Sequence, residues 1–309
     1  MLATLVTRHF SDPAWIFERK LDGVRCLAFR HGGELHLKSR NGHDITATWP
    51  EIARELAAER RSDFIIDGEI VAFEGRTTSF SRLQGRMGVR RPAPSLVEAI
   101  PAVYYVFDVL RLDGNDTRAL AQRERKHLLE HALRFRDPVR YSDHRDTHGE
   151  RYLEEACRKG WEGLIAKRAD APYVSRRSRD WLKFKCSAGQ ELVIGGYTDP
   201  RGSRSSFGAL LVGYYERGEL HYAGKVGTGF DEKMLQRLGS MLKRRGRATC
   251  PFRDTPREAG AHWVTPELVG QFSFTEWTRD GKLRHPSFLG LRSDKTALDV
   301  RRESPGSGA

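Results

Sequence analysis

The pattern of apolar residues changes near residue 186, and that change constrains the fold more than any other feature of the chain. Before it, short β-rich runs alternate with longer stretches of helical spacing. The runs 15–30, 34–40, 63–73, 102–110, 163–168 and 181–185 are rich in β-branched and aromatic residues with partial alternation, as strands require. Between them, 51–60, 120–133 and 150–159 carry apolar residues three and four apart, the spacing of an amphipathic helix. This predicts an α/β (α+β) domain with antiparallel sheets over 1–186. Beyond it lie four strand-like runs separated by Gly-rich turns, with one helical stretch at 231–245. That pattern predicts an all-β barrel of the oligonucleotide-binding (OB) type over 187–303. Residues 186–190 read as the linker, and SPGSGA (304–309) as a low-complexity, disordered tail.

A length of 309 residues suits two such domains, and a net charge of +12 spread along the chain favours a polyanionic partner such as nucleic acid. No apolar run approaches the roughly 20 residues needed to span a bilayer, and the N-terminal stretch lacks a signal-peptide core. A soluble, cytoplasmic protein is expected. Cys26, Cys157, Cys186 and Cys250 are widely separated, so no disulfide framework or zinc site is expected. The histidines show no spacing that suggests a metal site.

KLDGVR (20–25) brings an amine, a carboxylate and a guanidinium into one short run. In a strand, Lys20 and Asp22 project from the same face, Gly23 lets the backbone turn close to a ligand, and Arg25 adds a fixed positive charge. Alone, such a run is more often a surface strand with an ion pair. Further along, Asp67 and Glu69 place two carboxylates on one strand face, suited to a ribose hydroxyl or a metal ion. Phe107 offers a flat surface for a base, although a lone phenylalanine is usually core. Glu162 and Lys167 add another acid and amine. Lys183 and Lys185 share a strand face, where they suit a phosphate chain or simply face water.

Taken together and in order, KLDGVR (20–25), SRNG (39–42), DGEIVAF (67–73), YVFDVL (105–110), EGLIAKR (162–168), WLKFK (181–185) and RHPSFLGLRSDK (284–295) resemble the motifs of the covalent nucleotidyltransferases. That superfamily holds ATP-dependent DNA ligases, RNA ligases and mRNA capping enzymes. VIGGYTDPRGSRSSFGALLVGYY (193–215) and YAGKVGTGFDEKML (222–235) resemble most closely the ligase domain of bacterial ligase D.

The resemblance implies an ATP-dependent DNA ligase whose nucleophile is Lys20, which takes AMP from ATP and passes it to the 5′-phosphate of a nick or break. It also implies that Glu18, Arg25, Arg40, Glu69, Phe107 and Arg177 surround the nucleotide, with Phe107 on the adenine. Lys183, Lys185, Arg292 and Lys295 are implied to meet the phosphates, the last two through closure of the second domain. Mg²⁺ or Mn²⁺ is expected on Glu69 and Glu162. Cations around Lys20 are expected to lower its pKa by like-charge repulsion. Arg82, Arg86, Arg90 and Arg91 in one basic cluster, with Arg201 and Arg204 in another, are expected to grip duplex phosphates. The implied partners are nicked or broken double-stranded DNA and, by analogy, the end-binding protein Ku. The chain is expected to work as a monomer near the nucleoid. Two alternatives stand beside this reading: an RNA ligase or mRNA guanylyltransferase, and an idle nucleic-acid-binding module.

Overall fold

The computed structural model describes residues 1–6, 8–186, 189–200, 206–274, 276–278 and 280–303. The chain divides into two compact units, Met1–Cys186 and Ser187–Glu303.

The principal elements of the first unit are β1 (Leu2–Leu5), β2 (Trp15–Arg19), β3 (Val24–His31), β4 (Glu34–Ser39), α1 (Pro50–Ala57), β5 (Phe64–Glu74), α2 (Phe80–Gln84), α3 (Pro94–Ala99), β6 (Ala102–Leu112), α4 (Gln122–Ala132), α5 (Gly149–Arg158), β7 (Gly163–Arg168) and β8 (Arg177–Lys185). Two sheets result. One runs β1-β8-β7-β2 with the short strand His144–Arg145 at its edge, and the other is built on β4-β3-β5-β6. Pairing between these principal strands is antiparallel except for β1 against β8. The run 15–30, expected as one strand, is therefore two strands in different sheets, and residues 20–23 bridge them.

Alternation within the second sheet separates core from site. Cys26, Ala28, Ile66, Ile70, Tyr104 and Val106 join Ile52 and Leu56 of α1 and Leu129 of α4 in one buried cluster. Large side chains such as Phe64 and Ile52, both 0% exposed, contribute about 1.5–3 kcal/mol each by leaving water. The intervening residues Arg25, Leu27, Ile65, Asp67 and Glu69 belong to the other face by strand parity. Gly23 is required by close approach, but to protein and not to a ligand: a Cβ there would stand 2.2 Å from the Ile70 carbonyl oxygen.

Cys157 in the last turn of α5 and Cys186, just past β8, form a disulfide with Cα atoms 5.3 Å apart. This bond corrects the expectation of no disulfide framework, while Cys26 and Cys250 are free. A separation of 29 residues matches no spacing rule, and only the packing of α5 beside β7 and β8 brings the two sulfurs together.

The second unit contains β9 (Gly189–Thr198), β10 (Leu210–Glu216), β11 (Glu219–Val226), α6 (Glu232–Lys243), β12 (Ala261–Val264), β13 (Val269–Ser273) and β14 (Ser287–Leu291). β9 organises it. It pairs β10 along one edge, and along the other it pairs β13 with its first half and β12 with its end, while β14 continues from β13. The sheet curls around Val193, Val212, Ala223, Phe272 and Phe288 as an OB-type barrel. Leu235, Leu238 and Leu242 of α6 pack on it, and Asp231 starts that helix by accepting from the Met234 amide at 2.7 Å. The tail at 304–309 lies outside the described residues. Among the described residues no helix is long and apolar enough to cross a membrane.

Candidate active site

Lys20 stands at the junction of the two sheets, one residue past β2, with its amide bonded to the Gly163 carbonyl at 2.9 Å. That bond is possible because Gly163, at φ +146°, lies against β8 so closely that a Cβ would sit 1.9 Å from the Phe184 carbonyl oxygen. Glu162, immediately before it, thereby faces the lysine. Lys20 Nζ donates to Glu162 Oε2 at 2.5 Å. Burial acts to push the Lys20 pKa down, but the charge and hydrogen bond of Glu162, helped by Asp22 and Glu69, lift it above the ordinary lysine value. The expected depression by neighbouring cations is not found, because the groups that act on this amine are acids.

The guanidinium of Arg25 does not point at Lys20. It grips Asp67 through two bonds of 2.5 Å and donates to the Met1 carbonyl at 3.1 Å. Asp67 is fully buried and also accepts from the Tyr173 hydroxyl at 2.8 Å. It is therefore occupied within the protein, and Glu69, opposite Arg25 in the strand register, is the half-exposed carboxylate of the pair. Asp22, besides its charge on Lys20, accepts from the Phe80 amide at 3.3 Å.

Phe107 is 8% exposed and clusters with Met1, Leu110, Tyr173 and Trp181. Arg25 lies 4.8 Å from its ring centroid and Lys167 Nζ 4.5 Å. Lys167 pairs with Glu18 at 2.9 Å, and not with the Glu162 of its own motif. A second lysine, Lys126 of α4, reaches the same Glu18 oxygen at 3.2 Å. Burial would raise the Glu18 pKa, yet the two lysines bring it below the usual range, so the carboxylate stays charged. Burial, with Lys126 adding to it, pushes Lys167 down to about 8 despite Glu18, leaving it mostly protonated at neutral pH.

Lys183 and Lys185 alternate with the buried Leu182 and Phe184, opposite Ile165 and Gly163 of β7. Arg40 is half-buried in the turn after β4. Arg177 starts β8 and donates to the Ala3 carbonyl at 2.5 Å. Glu18, Lys183 and Lys185 thus lie in the sheet of β2, β7 and β8, which Lys20 adjoins, and Arg25 and Phe107 of the other sheet meet it at Trp181 of β8. In the second unit, Arg292 bonds Asp294 at 2.9 and 2.8 Å, and Lys295 pairs with Glu191 at 3.1 Å.

The basic clusters fare unevenly. Arg86 is 0% exposed, ion-paired with Glu51 and bonded to the Thr48 and Ile100 carbonyls at 3.0 Å, so it faces the core and not a phosphate. Arg82, Arg90 and Arg91 are exposed. Arg201 and Arg204 lie outside the described residues. Two further corrections concern α4. His127, Glu130 and His131 do have metal-ligand spacing, with one donor atom each within 4.8 Å of the others on an exposed face. The buried face of the same helix carries Gln122, Arg125 and Lys126, which sequence reading missed. Its signal was available: three polar residues at i, i+3 and i+4 occupy the positions that Leu129 continues. Arg125 grips the buried Asp108 at 2.8 Å, and Gln122 accepts from Trp181 Nε1 at 3.0 Å.

Residues 1–185 match the family model of the ATP dependent DNA ligase domain, and 203–295 that of the ATP dependent DNA ligase C terminal region. The chain is 40% identical over 306 residues to the multifunctional non-homologous end joining protein LigD of Pseudomonas aeruginosa, covering 94% of this chain and 35% of that protein. It is 37% identical over 312 residues to the multifunctional non-homologous end joining DNA repair protein LigD of Mycobacterium tuberculosis, covering 98% of this chain and 39% of that one. The chain spans well under half the length of these relatives. A solved structure of mycobacterial DNA ligase D complexed with ATP and MES matches over 98% of both chains, with 33% identity and a TM-score of 0.66.

Proposed function

The chain belongs to the ATP-dependent DNA ligase family, and from that premise we propose that it activates itself by bonding AMP to Lys20 and uses that AMP to seal DNA. Lys20 Nζ bonds the α-phosphorus of ATP as the bond to the β-phosphate oxygen breaks and pyrophosphate leaves. The AMP then passes to a 5′-phosphate, restoring the lysine, and the neighbouring 3′-hydroxyl displaces it to close the strand. The observation that carries this reading is the Lys20–Glu162 contact of 2.5 Å at the junction of two sheets. A lysine attacks only as the neutral amine, and Glu162 Oε2 is the acceptor placed to take its proton.

The other residues bind and orient. Phe107 presents an aromatic ring to the base, with Glu18 held charged beside it by Lys126 and Lys167. Arg25, Arg40 and Arg177 serve the sugar and α-phosphate, and Lys183 and Lys185 of β8 the phosphate chain. Arg292 and Lys295 orient the leaving pyrophosphate. Glu69 and Glu162 offer hard carboxylate oxygens around Lys20, a donor set that fits Mg²⁺ or Mn²⁺, which when bound would neutralise phosphate charge. The DNA is nicked or broken duplex, held by Arg82, Arg90 and Arg91, exposed in the first unit, together with Arg201 and Arg204, and the cellular role is end joining with Ku as partner near the nucleoid, the chain acting as a monomer.

The test is incubation with α-labelled ATP or GTP and a divalent metal. Label from ATP alone, lost in Lys20→Ala with the circular dichroism spectrum unchanged, is the expected result. Label from GTP would point to a capping-type guanylyltransferase, and a normal AMP adduct in Lys20→Ala would sink the assignment.

A further inference from the structure

The Cys157–Cys186 bond lies where the proposed chemistry is most sensitive to position. Cys157 is exposed at the end of α5, and Cys186 is half-buried directly after Lys185, at the last residue of the first unit. Between these two points in space runs the turn that delivers Glu162. The Trp161 amide bonds the Ala156 carbonyl at 2.9 Å, and the Cys186 amide bonds the Glu162 carbonyl at 3.0 Å. Glu162 is thus held from both sides, through α5 by Cys157 and through β8 by Cys186, while its carboxylate holds Lys20 Nζ. Cys157 is the exposed residue of the pair, and a bond that an external thiolate can reach has the property of labile and regulatory disulfides and not of sealed structural ones.

We propose that Cys157 and Cys186 are a reversible redox modification site that sets how readily Glu162 releases Lys20 for self-adenylation. The oxidant is a low-molecular-weight disulfide such as oxidised glutathione. The Cys157 thiolate bonds one of its sulfurs and expels the first small thiolate. The Cys186 thiolate then bonds Cys157 Sγ and expels the second, and the two protons lost by the cysteines pass to the expelled thiolates. Closing the bond ties α5 to β8 covalently and stiffens the turn that carries Glu162. Lys20 Nζ must leave Glu162 to face a phosphorus, so the oxidised form adenylates itself slowly. Opening the bond returns the mobility of the turn. The coupling rests on the reading of Lys20 as the nucleophile.

The experiment compares full-length protein treated with dithiothreitol or with oxidised glutathione. Non-reducing peptide mapping reads the bond, and the rate of AMP attachment from labelled ATP reads the effect. The oxidised protein is expected to yield a linked Cys157–Cys186 peptide and to adenylate roughly tenfold more slowly, within the roughly hundredfold that a misplacement of about 1 Å at a reacting centre can cost. Added thiol should restore the rate. Cys157→Ser should adenylate at the reduced rate under both treatments, and Cys186→Ser should do the same, so that the test stands if either variant folds poorly. Equal rates in the two forms, with the linked peptide present, would overturn the coupling, and absence of the linked peptide after oxidation would overturn the site. No AMP adduct in either form would count instead against the ligase chemistry, and the coupling would fall with it.

Discussion

At the scale of single residues, the site is governed by which acid holds which base. Lys20 has its pKa raised because Glu162 outweighs burial. Self-adenylation should therefore accelerate as pH rises, and Glu162→Gln should shift that rise to lower pH while reducing the plateau, as removal of the charge and of the proton acceptor requires. A pH–rate profile of AMP attachment checks this, and an unmoved profile would remove Glu162 from the account. The same sign governs stability. A lysine whose pKa is raised by folding stabilises fully below its unfolded value of about 10.4, and that contribution is lost as pH rises through the folded value. Glu18 runs the other way: with its pKa lowered, its contribution is present above the unfolded value of about 4.3 and lost as pH falls through the folded one. Lys126→Met leaves Glu18 with one cation, Lys167, beside the Ser142 hydroxyl that donates to it at 3.3 Å, and should cost about 2–4 kcal/mol in urea unfolding, below the full cost of stripping a buried charge of its partners. Lys20, Glu162 and Phe107 stood out in the sequence because their motifs are ordered and dense. The partnership of Glu18 with Lys126 did not, since it joins residues far apart in sequence and Lys126 looks like any charge on an amphipathic helix.

At the scale of elements, strand runs read well where β-branched and aromatic residues are dense, as in β5, β6 and β7, and poorly where one run serves two sheets. Nothing in 15–30 marks the break after Arg19 except Gly23, and a glycine near a lysine suggests ligand approach as readily as strand crossing. Arginines are the hardest to read. In SRLQGRMGVRRP (81–92) all four look alike, yet Arg86 meets Glu51, Thr48 and Ile100 in the core. Arg86→Met should therefore lower stability by about 3 kcal/mol or more and leave the salt dependence of DNA binding alone. Neutralising Arg82, Arg90 and Arg91 together with Arg201 and Arg204 should do the reverse, flattening the slope of log affinity against log salt by roughly 0.9 for each phosphate no longer neutralised. Melting curves and binding titrations at several salt concentrations separate the two outcomes. A slope unchanged by the neutralised set would show that those arginines do not face DNA.

At the scale of the whole molecule, the change of pattern near residue 186 divides the chain where the two compact units meet in sequence. In the second unit, Arg292 is paired with Asp294 and Lys295 with Glu191. If they serve the pyrophosphate, Arg292→Ala should slow Lys20 adenylation much more than the sealing of a nick that already carries AMP, and single-turnover assays of the two steps distinguish this from a general loss of fold. The order of strands has a consequence for the making of the protein. Lys20 and Glu162 are separated by 142 positions, and β2 receives its neighbour β7 only after nearly all of the first unit has been synthesised. At translation rates of about 5–20 residues per second, a nascent chain passes on the order of ten seconds with its lysine unpartnered and β2 without β7, the strand His144–Arg145 on its other edge arriving only shortly before. Until Gly163 emerges from the ribosome, the sheet edge that will bear the nucleophile is open to whatever else can pair with it, and the growing chain is most exposed to misassembly during that interval.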